Sequence, residues 1–251
     1  MIKAILVGAS GKMGKNITEC ANTSEDIKII AGVDKFNCGT DYPIFPAFDE
    51  INVTADVIID FSNIALLDDL LTFAIAKKMP VVIATTGYSD AQIEKIKQAA
   101  KEIPIFFTFN MSLGVNLLCS LAKKAAKILG EDFDIEIIEK HHNQKLDAPS
   151  GTAIMLANAV NNVFGDKLAY EYDRHSKRAK RPKNEIGIHS VRGGTIVGEH
   201  DVIFAGRDEV ITLSHAAHSK QVFAVGALRA AKFISEKPNG MYDMNDILKI
   251  D

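Results

Sequence analysis

Apolar residues in the first part of the chain fall in short unbroken runs: AILVG at 4–8, KIIAGVD at 28–34, DVIIDFS at 56–62, PVVIATTG at 80–87 and IPIFFTF at 103–109. Between these runs apolar residues recur at helical spacing among polar ones. Continuous apolar strands alternating with amphipathic helices are the pattern of βα units around a parallel sheet buried on both faces. The start of one helix is legible in SDAQIEKIKQAAKE, where Ser89 caps, Gln92 completes a capping box, and Ile93 and Ile96 open the apolar face. A helix is predicted over residues 89–102.

Beyond residue 112 the pattern changes. GVNLLCSLAKKAAKILG (114–130) predicts a helix, and DFDIEIIEKHH a strand with Phe133, Ile135, Ile137, Glu139 and His141 at one parity. A helix from about Ser150 and a β-rich stretch at 185–214 follow, which reads as a second, α+β domain. KQVFAVGALRAAKFISEK is helical, apolar on one side, and suited to return to the first domain. The chain carries no internal repeat and no low-complexity linker.

The 251 residues are 47% hydrophobic and 24% charged, enough for a sizeable core, and the net charge of -3 offers no general field for nucleic acid or anionic lipid. No apolar run approaches the roughly 20 residues of a membrane span. MIKAILVGAS runs straight into a glycine turn and reads as a first strand, so the mature fold is expected to begin at residue 1. Cys20, Cys38 and Cys119 are odd in number and lack CxxC spacing, which argues against a disulfide framework and a zinc site and for a reducing cytoplasm. The basic run RHSKRAKRPKN (174–184) lacks the interleaved aromatics of a nucleic-acid patch and reads as a solvated loop.

GASGKMG (8–14) follows the first strand and opens a helix, with glycines at 8, 11 and 14. Gly8, Gly11 and Gly14 permit a tight turn and close backbone approach, and the helix N-terminus offers N–H groups and a positive dipole end to a pyrophosphate; Lys12 adds a charge. Asp34, twenty residues past Gly14, stands where a carboxylate accepts from ribose hydroxyls. Its neighbour Lys35 suits a 2′-phosphate, so the pair points to NADH and NADPH alike. Thr85 and Thr86, in ATTG, end a later strand at the edge where such sheets bind ligands.

EIIEKHHNQKLDAPSGTA (136–153) gathers further chemistry. His141 and His142 point to opposite faces of a strand and so serve different jobs, and Lys145 can swing back toward the His141 side. Pro149 stops the strand and Ser150 caps a helix, whose first N–H groups, at Ser150, Gly151 and Thr152, form an anion site suited to a carboxylate. The adjacent histidines lack ligand spacing for a metal, and His215 and His218, in HAAHS, read as strand and loop residues, so no metal is expected. A hydride carrier, a proton donor or acceptor, a cation and a carboxylate cradle together describe reduction of an unsaturated small carboxylate.

EKHHNQKLDAPSGTA resembles the signature of the dihydrodipicolinate reductases (4-hydroxy-tetrahydrodipicolinate reductases), enzymes of the diaminopimelate route to lysine. Further likeness lies in GASGKMG, DFS (60–62), ATTG, FNMSLGVN (109–116), SVRGGTIVGEHDVIF and FAVGALRAAKF. The resemblance implies a Rossmann-type domain from residues 1–112 and 222–251, and between them, at 113–221, a substrate-binding and tetramerisation domain whose open mixed sheet assembles a homotetramer. It implies proton transfer by His141 and Lys145, both candidates for the final acid. It further implies binding of a dicarboxylate substrate by His142, Lys145, Ser150, Gly151 and Thr152, and of NADH or NADPH by Gly8, Gly11, Lys12, Met13, Gly14, Asp34, Lys35, Phe61, Ala84, Thr86, Phe109 and Met111. Hydride would go to C4 of the ring as its 4-hydroxyl leaves as water, with a proton delivered to the adjacent carbon. The sequence departs from the family pattern at Ala84 (often glycine), Lys12 (often arginine), Met111 (phenylalanine in some) and RHSKRAKR, where a REGxTGxR string is common. Other readings of the same residues are a different NAD(P)-dependent reductase or dehydrogenase of a small amino or keto acid, and a non-enzymatic dinucleotide sensor.

Overall fold

A computed structural model of the chain describes residues 1–37 and 39–249, so Cys38 lies outside the described residues. The chain divides into two compact units, Met1–Leu113 with Lys220–Asp251, and Gly114–Ser219.

The first unit holds β1 (Ile2–Val7), α1 (Lys12–Asn22), β2 (Ile27–Val33), β3 (Ile44–Phe45), β4 (Val57–Asp60), α2 (Leu67–Lys77), β5 (Val81–Ile83), α3 (Asp90–Ala99) and β6 (Pro104–Phe107). Among the described residues seven strands form one sheet, in the order β12-β6-β5-β4-β1-β2-β3, every pairing parallel. The seventh strand, β12 (Gly240–Tyr242), comes from the chain's end, after α6 (Gln221–Ile234) and before α7 (Met244–Leu248). β4, β5 and β6 are buried at every residue, as unbroken apolar runs demand. Alternate residues of β1 serve different layers: Ala4 and Leu6 pack with Ile17, Ala227 and Ile234, while Ile5 and Val7 pack with Leu67, Leu70, Ile96 and Ala99. α6 comes so close to the end of β6 that a Cβ on Gly226 would lie 1.7 Å from the Met111 carbonyl oxygen.

The capping box of α3 forms as expected: the Ser89 side chain accepts from the Gln92 N–H, and the Gln92 side chain accepts from the Ser89 N–H. The helix stops at Ala99, three residues before the predicted end: the Lys101 and Glu102 N–H groups tighten onto the carbonyls of Gln98 and Ala99, and Pro104, which opens β6, disfavours helix in the residue before it.

The second unit contains α4 (Leu113–Leu129, whose first residue belongs to the other unit), β7 (Asp134–His141), α5 (Gly151–Val163), β8 (Ala169–Glu171), β9 (Glu185–Arg192), β10 (Gly198–Ala205) and β11 (Val210–Ala217). Its mixed sheet runs β11-β10-β7-β9-β8, with β7 parallel to β9 and antiparallel to β10. Ile135 and Ile137 of β7, Ile186 and Ile188 of β9, and Val202 and Phe204 of β10 pack against Leu118, Ala122, Leu156 and Val160 of the two helices. The other face, which includes Ile138, Val191, Ile203 and Val210, carries no helix of this unit.

The basic loop at 174–184 is exposed over most of its length, with Arg174 and Arg181 half-buried. Arg174 pairs with Glu185 and Lys177 with Glu171, while Arg181 bonds the carboxylates of Glu136 and Asp134 and the carbonyls of Ile135 and Glu185. The acids of β7, β8 and β9 neutralise much of the loop and strap it to the sheet.

Candidate active site

The first unit presents a groove along the carboxyl ends of its strands. The chain turns from β1 into α1 through Gly8, whose φ of +81° suits glycine and where a Cβ would sit 2.4 Å from the Phe61 carbonyl oxygen. Asp34, the residue after β2, ties this turn down: its Oδ2 accepts from the Ser10 N–H at 2.9 Å. The first turn of α1 has neither a capping side chain nor an acid, which suits its N–H groups to an anion.

A cavity of about 760 Å³ is lined by Gly8, Gly11, Asp34, Lys35 and Phe61. A second, of about 320 Å³, is lined by Lys12, Met13, Phe61, Ala84, Thr86, Phe109 and Met111, together with Lys220 and Phe223. Phe61 is shared between the two. Gly14 lines neither: it is buried, and a Cβ there would lie 2.4 Å from the carbonyl oxygens of both Gly8 and Ala9. Its role is to let α1 pack on the turn.

Behind the groove Asp60 is buried at the end of β4. Its Oδ1 accepts from the Ser62 N–H and hydroxyl, and burial pushes its carboxyl above the ordinary range. The Ser62 N–H also reaches the Thr85 hydroxyl at 2.9 Å, so Thr85 braces two loop ends.

In the second unit Glu139 and His141 both face the core side of β7, as their parity requires. His141 Nδ1 lies 2.6 Å from Glu139 Oε2, and Glu139 is fully buried, with Arg192 donating to both its oxygens at 2.7 and 2.8 Å. Burial opposes ionisation of this carboxyl, but the bonds from Arg192 and His141 outweigh it and hold its pKa at about 2. A Cβ at position 198 would lie 3.1 Å from His141 Nε2, so Gly198 leaves the ring its room. His142 has passed the strand end and stands half-buried, its carbonyl accepting from the Lys145 N–H at 3.1 Å. Lys145 follows that turn, and its Nζ pairs with Asp147 Oδ1 at 2.8 Å.

Ser150 caps α5, its hydroxyl accepting from the Ala153 N–H, but it is only 2% exposed. Its own N–H donates to Glu139 Oε1 at 3.1 Å and its hydroxyl lies 2.9 Å from His200 Nε2. The expected N–H of Ser150 is therefore committed inward, and of the three cradle residues Gly151 is exposed and Thr152 half-buried. His200 is held neutral: burial, then the neighbouring His141, lowers its pKa to about 4. Among the described residues no group of three or more His, Cys, Asp or Glu could hold a metal ion.

Glu139, Arg192 and His200 were not among the site residues expected. The signal existed, since each is a polar residue at a core-facing position of its strand, and Arg192 and His200 lie in the SVRGGTIVGEH string.

Residues 2–111 match the family profile for the dihydrodipicolinate reductase N-terminus, and residues 114–248 that for its C-terminus. The chain belongs to the dihydrodipicolinate reductase family. It is 53% identical over 249 residues to the 4-hydroxy-tetrahydrodipicolinate reductase of Caldanaerobacter subterraneus subsp. tengcongensis, covering 99% of both chains. It is 50% identical to that of Clostridium tetani, covering 99% of this chain and 97% of the other. Among solved structures, a dipicolinate-bound dihydrodipicolinate reductase from Paenisporosarcina sp. TG-14 superposes with a TM-score of 0.82 at 25% identity, covering 99% of each chain. A probable dehydrogenase from Thermotoga maritima, 12% identical with a TM-score of 0.62, shares the fold. The family's parallel-sheet and mixed-sheet halves are both present here.

Proposed function

We propose that this protein reduces 4-hydroxy-tetrahydrodipicolinate to tetrahydrodipicolinate with NADH or NADPH and loss of water, in the diaminopimelate route of lysine biosynthesis. The observation that carries this reading is the end-to-end identity of about half to relatives of that name, with His141 and Ser150 both bonded to one buried carboxylate, that of Glu139.

The groove of the first unit fits a nicotinamide dinucleotide. Gly8 and Gly11 allow a diphosphate close to the uncapped start of α1, and Asp34 and Lys35 stand beside the adenosine ribose. Lys12, Met13, Phe61, Ala84, Thr86, Phe109 and Met111 flank the nicotinamide half. When bound, the cofactor supplies the hydride. The second unit supplies the remaining work. Gly151 and Thr152 hold one carboxylate at the start of α5, His142 and Lys145 meet the other, and Ser150 braces the cradle from behind. His141 and Lys145 handle the proton for the carbon beside the reduced one. His141 is suited to this because Glu139 takes its Nδ1–H and leaves Nε2 for exchange.

The helix-free face of the second unit's sheet is the surface for assembly into a homotetramer, with Ile138, Val191, Ile203 and Val210 apolar on it. A cytoplasmic setting agrees with the unpaired thiols Cys20 and Cys119, and no helix among the described residues is long and apolar enough to cross a membrane.

The test is loss of NAD(P)H absorbance by purified protein, with substrate generated in situ by a synthase from pyruvate and aspartate semialdehyde. Oxidation that requires every component supports the reading. Binding of NADH without oxidation would leave the first unit's role standing and remove the substrate assignment.

A further inference from the structure

Three parts of the site lead back to one ion pair. The Glu139 carboxylate accepts from His141 Nδ1, from the Ser150 N–H at the head of the cradle, and from both terminal nitrogens of Arg192. One of those nitrogens also donates to the Asp147 carbonyl at 2.6 Å, within the loop that carries Lys145, and the other to the Val191 carbonyl at 2.8 Å. The next two residues continue the hold: the Gly193 N–H donates to the His141 carbonyl, and the Gly194 carbonyl accepts from the Asn143 N–H.

A fully buried carboxylate paired with a guanidinium is weak as a source of stability, because desolvating the two charges offsets their attraction. What such a pair does provide is fixed geometry. The guanidinium is planar and presents its donors in a fixed fork, so a position that bonds two carboxylate oxygens and two carbonyls at once is one that a lysine cannot fill. An ionised carboxylate only accepts, so the proton between it and His141 sits on Nδ1 and the reactive nitrogen is Nε2. His141 and Arg192 are also direct partners in the parallel β7–β9 register, which keeps the pair on the sheet and not on a loop.

We propose that Glu139 and Arg192 are positioning residues: together they set the tautomer of His141, the placement of the Lys145 loop and the seat of the carboxylate cradle, without touching substrate. This rests on the reductase reading above.

The experiment compares wild type with Arg192→Lys, Arg192→Ala and Glu139→Gln, reading kcat and KM, NADH affinity, melting and the ring-nitrogen signals of His141 in long-range 1H–15N spectra. Arg192→Lys keeps the charge and loses the fork, and kcat is expected to fall about 100-fold, the scale of a 1 Å misplacement, with NADH affinity within about twofold of wild type. Millimolar methylguanidinium should restore part of the turnover of Arg192→Ala, which general loss of packing would not allow. In Glu139→Gln the His141 signals should move from one tautomer to a mixture. Near-wild-type kcat in Arg192→Lys, or an unchanged His141 tautomer in Glu139→Gln, overturns the proposal, and the spectrum decides even if Arg192→Ala does not fold. Failure of wild type itself to consume NAD(P)H would instead sink the reductase reading.

Discussion

Ser150 and Glu139 are separated by eleven residues, yet the Ser150 N–H donates to Glu139 Oε1 at 3.1 Å and fastens the start of α5 to β7. Because the cap residue faces inward, the exposed donor at this helix start is Gly151.

Gly151→Pro isolates that donor. Proline suits the first helical position, where its missing N–H has no intrahelical partner. Ser150, at φ -66° and ψ 150°, already has the backbone a residue before proline adopts, and nothing lies within 4 Å of a Cβ at 151. The variant is expected to keep its melting temperature and to bind dipicolinate at least about tenfold more weakly, the size of one lost hydrogen bond to a charged group. Calorimetric titration reads the affinity, and equal binding would remove Gly151 from the cradle.

His141→Ala and Lys145→Ala are each expected to lower kcat by about 100-fold or more, the range of positioned acid–base groups. Quenching of NADH fluorescence should show cofactor affinity unchanged, since all the residues proposed to hold it lie in the other unit. Near-normal turnover in both variants would mean the proton comes from elsewhere.

Stability should depend on pH through His200. Its folded pKa, about 4, lies below the unfolded value near 6.5, so the unfolded chain binds the extra proton first as pH falls. The contribution is complete above pH 6.5 and is lost as pH falls toward 4, amounting to on the order of 3 kcal/mol by the linkage relation. Urea unfolding at pH 7.5 and 5 should show wild type weakening and His200→Asn weakening less. Parallel losses in the two would place the titrating group elsewhere.

Lys35 lines the larger cavity beside Asp34, and its charge suits a 2′-phosphate. Lys35→Ala should raise KM for NADPH about tenfold, the size of one charge-assisted bond, while changing KM for NADH little. Equal effects on the two cofactors would mean that Lys35 does not meet the phosphate.

The alternation of strand and helix was legible because strands buried on both faces must be apolar throughout, and 3.6-residue spacing marks the helices between them. Strands β3, β8 and β12 escaped notice because two or three residues carry no period and, unlike those of β5, they stand in no longer apolar run. The stretch from His141 to Thr152 could be read for its chemistry because a strand end, a proline and a cap lie within a dozen residues, where local rules of backbone and capping hold. Glu139, Arg192 and His200 could not be assigned in that way, and neither could the inward turn of Ser150. Arg192 stands 53 residues from Glu139 and His200 stands 50 from Ser150. Those contacts exist only through the pairing of β7 with β9 and β10. Register is a property of the folded sheet, and it decides which polar side chains from distant segments are buried against one another and must satisfy each other there.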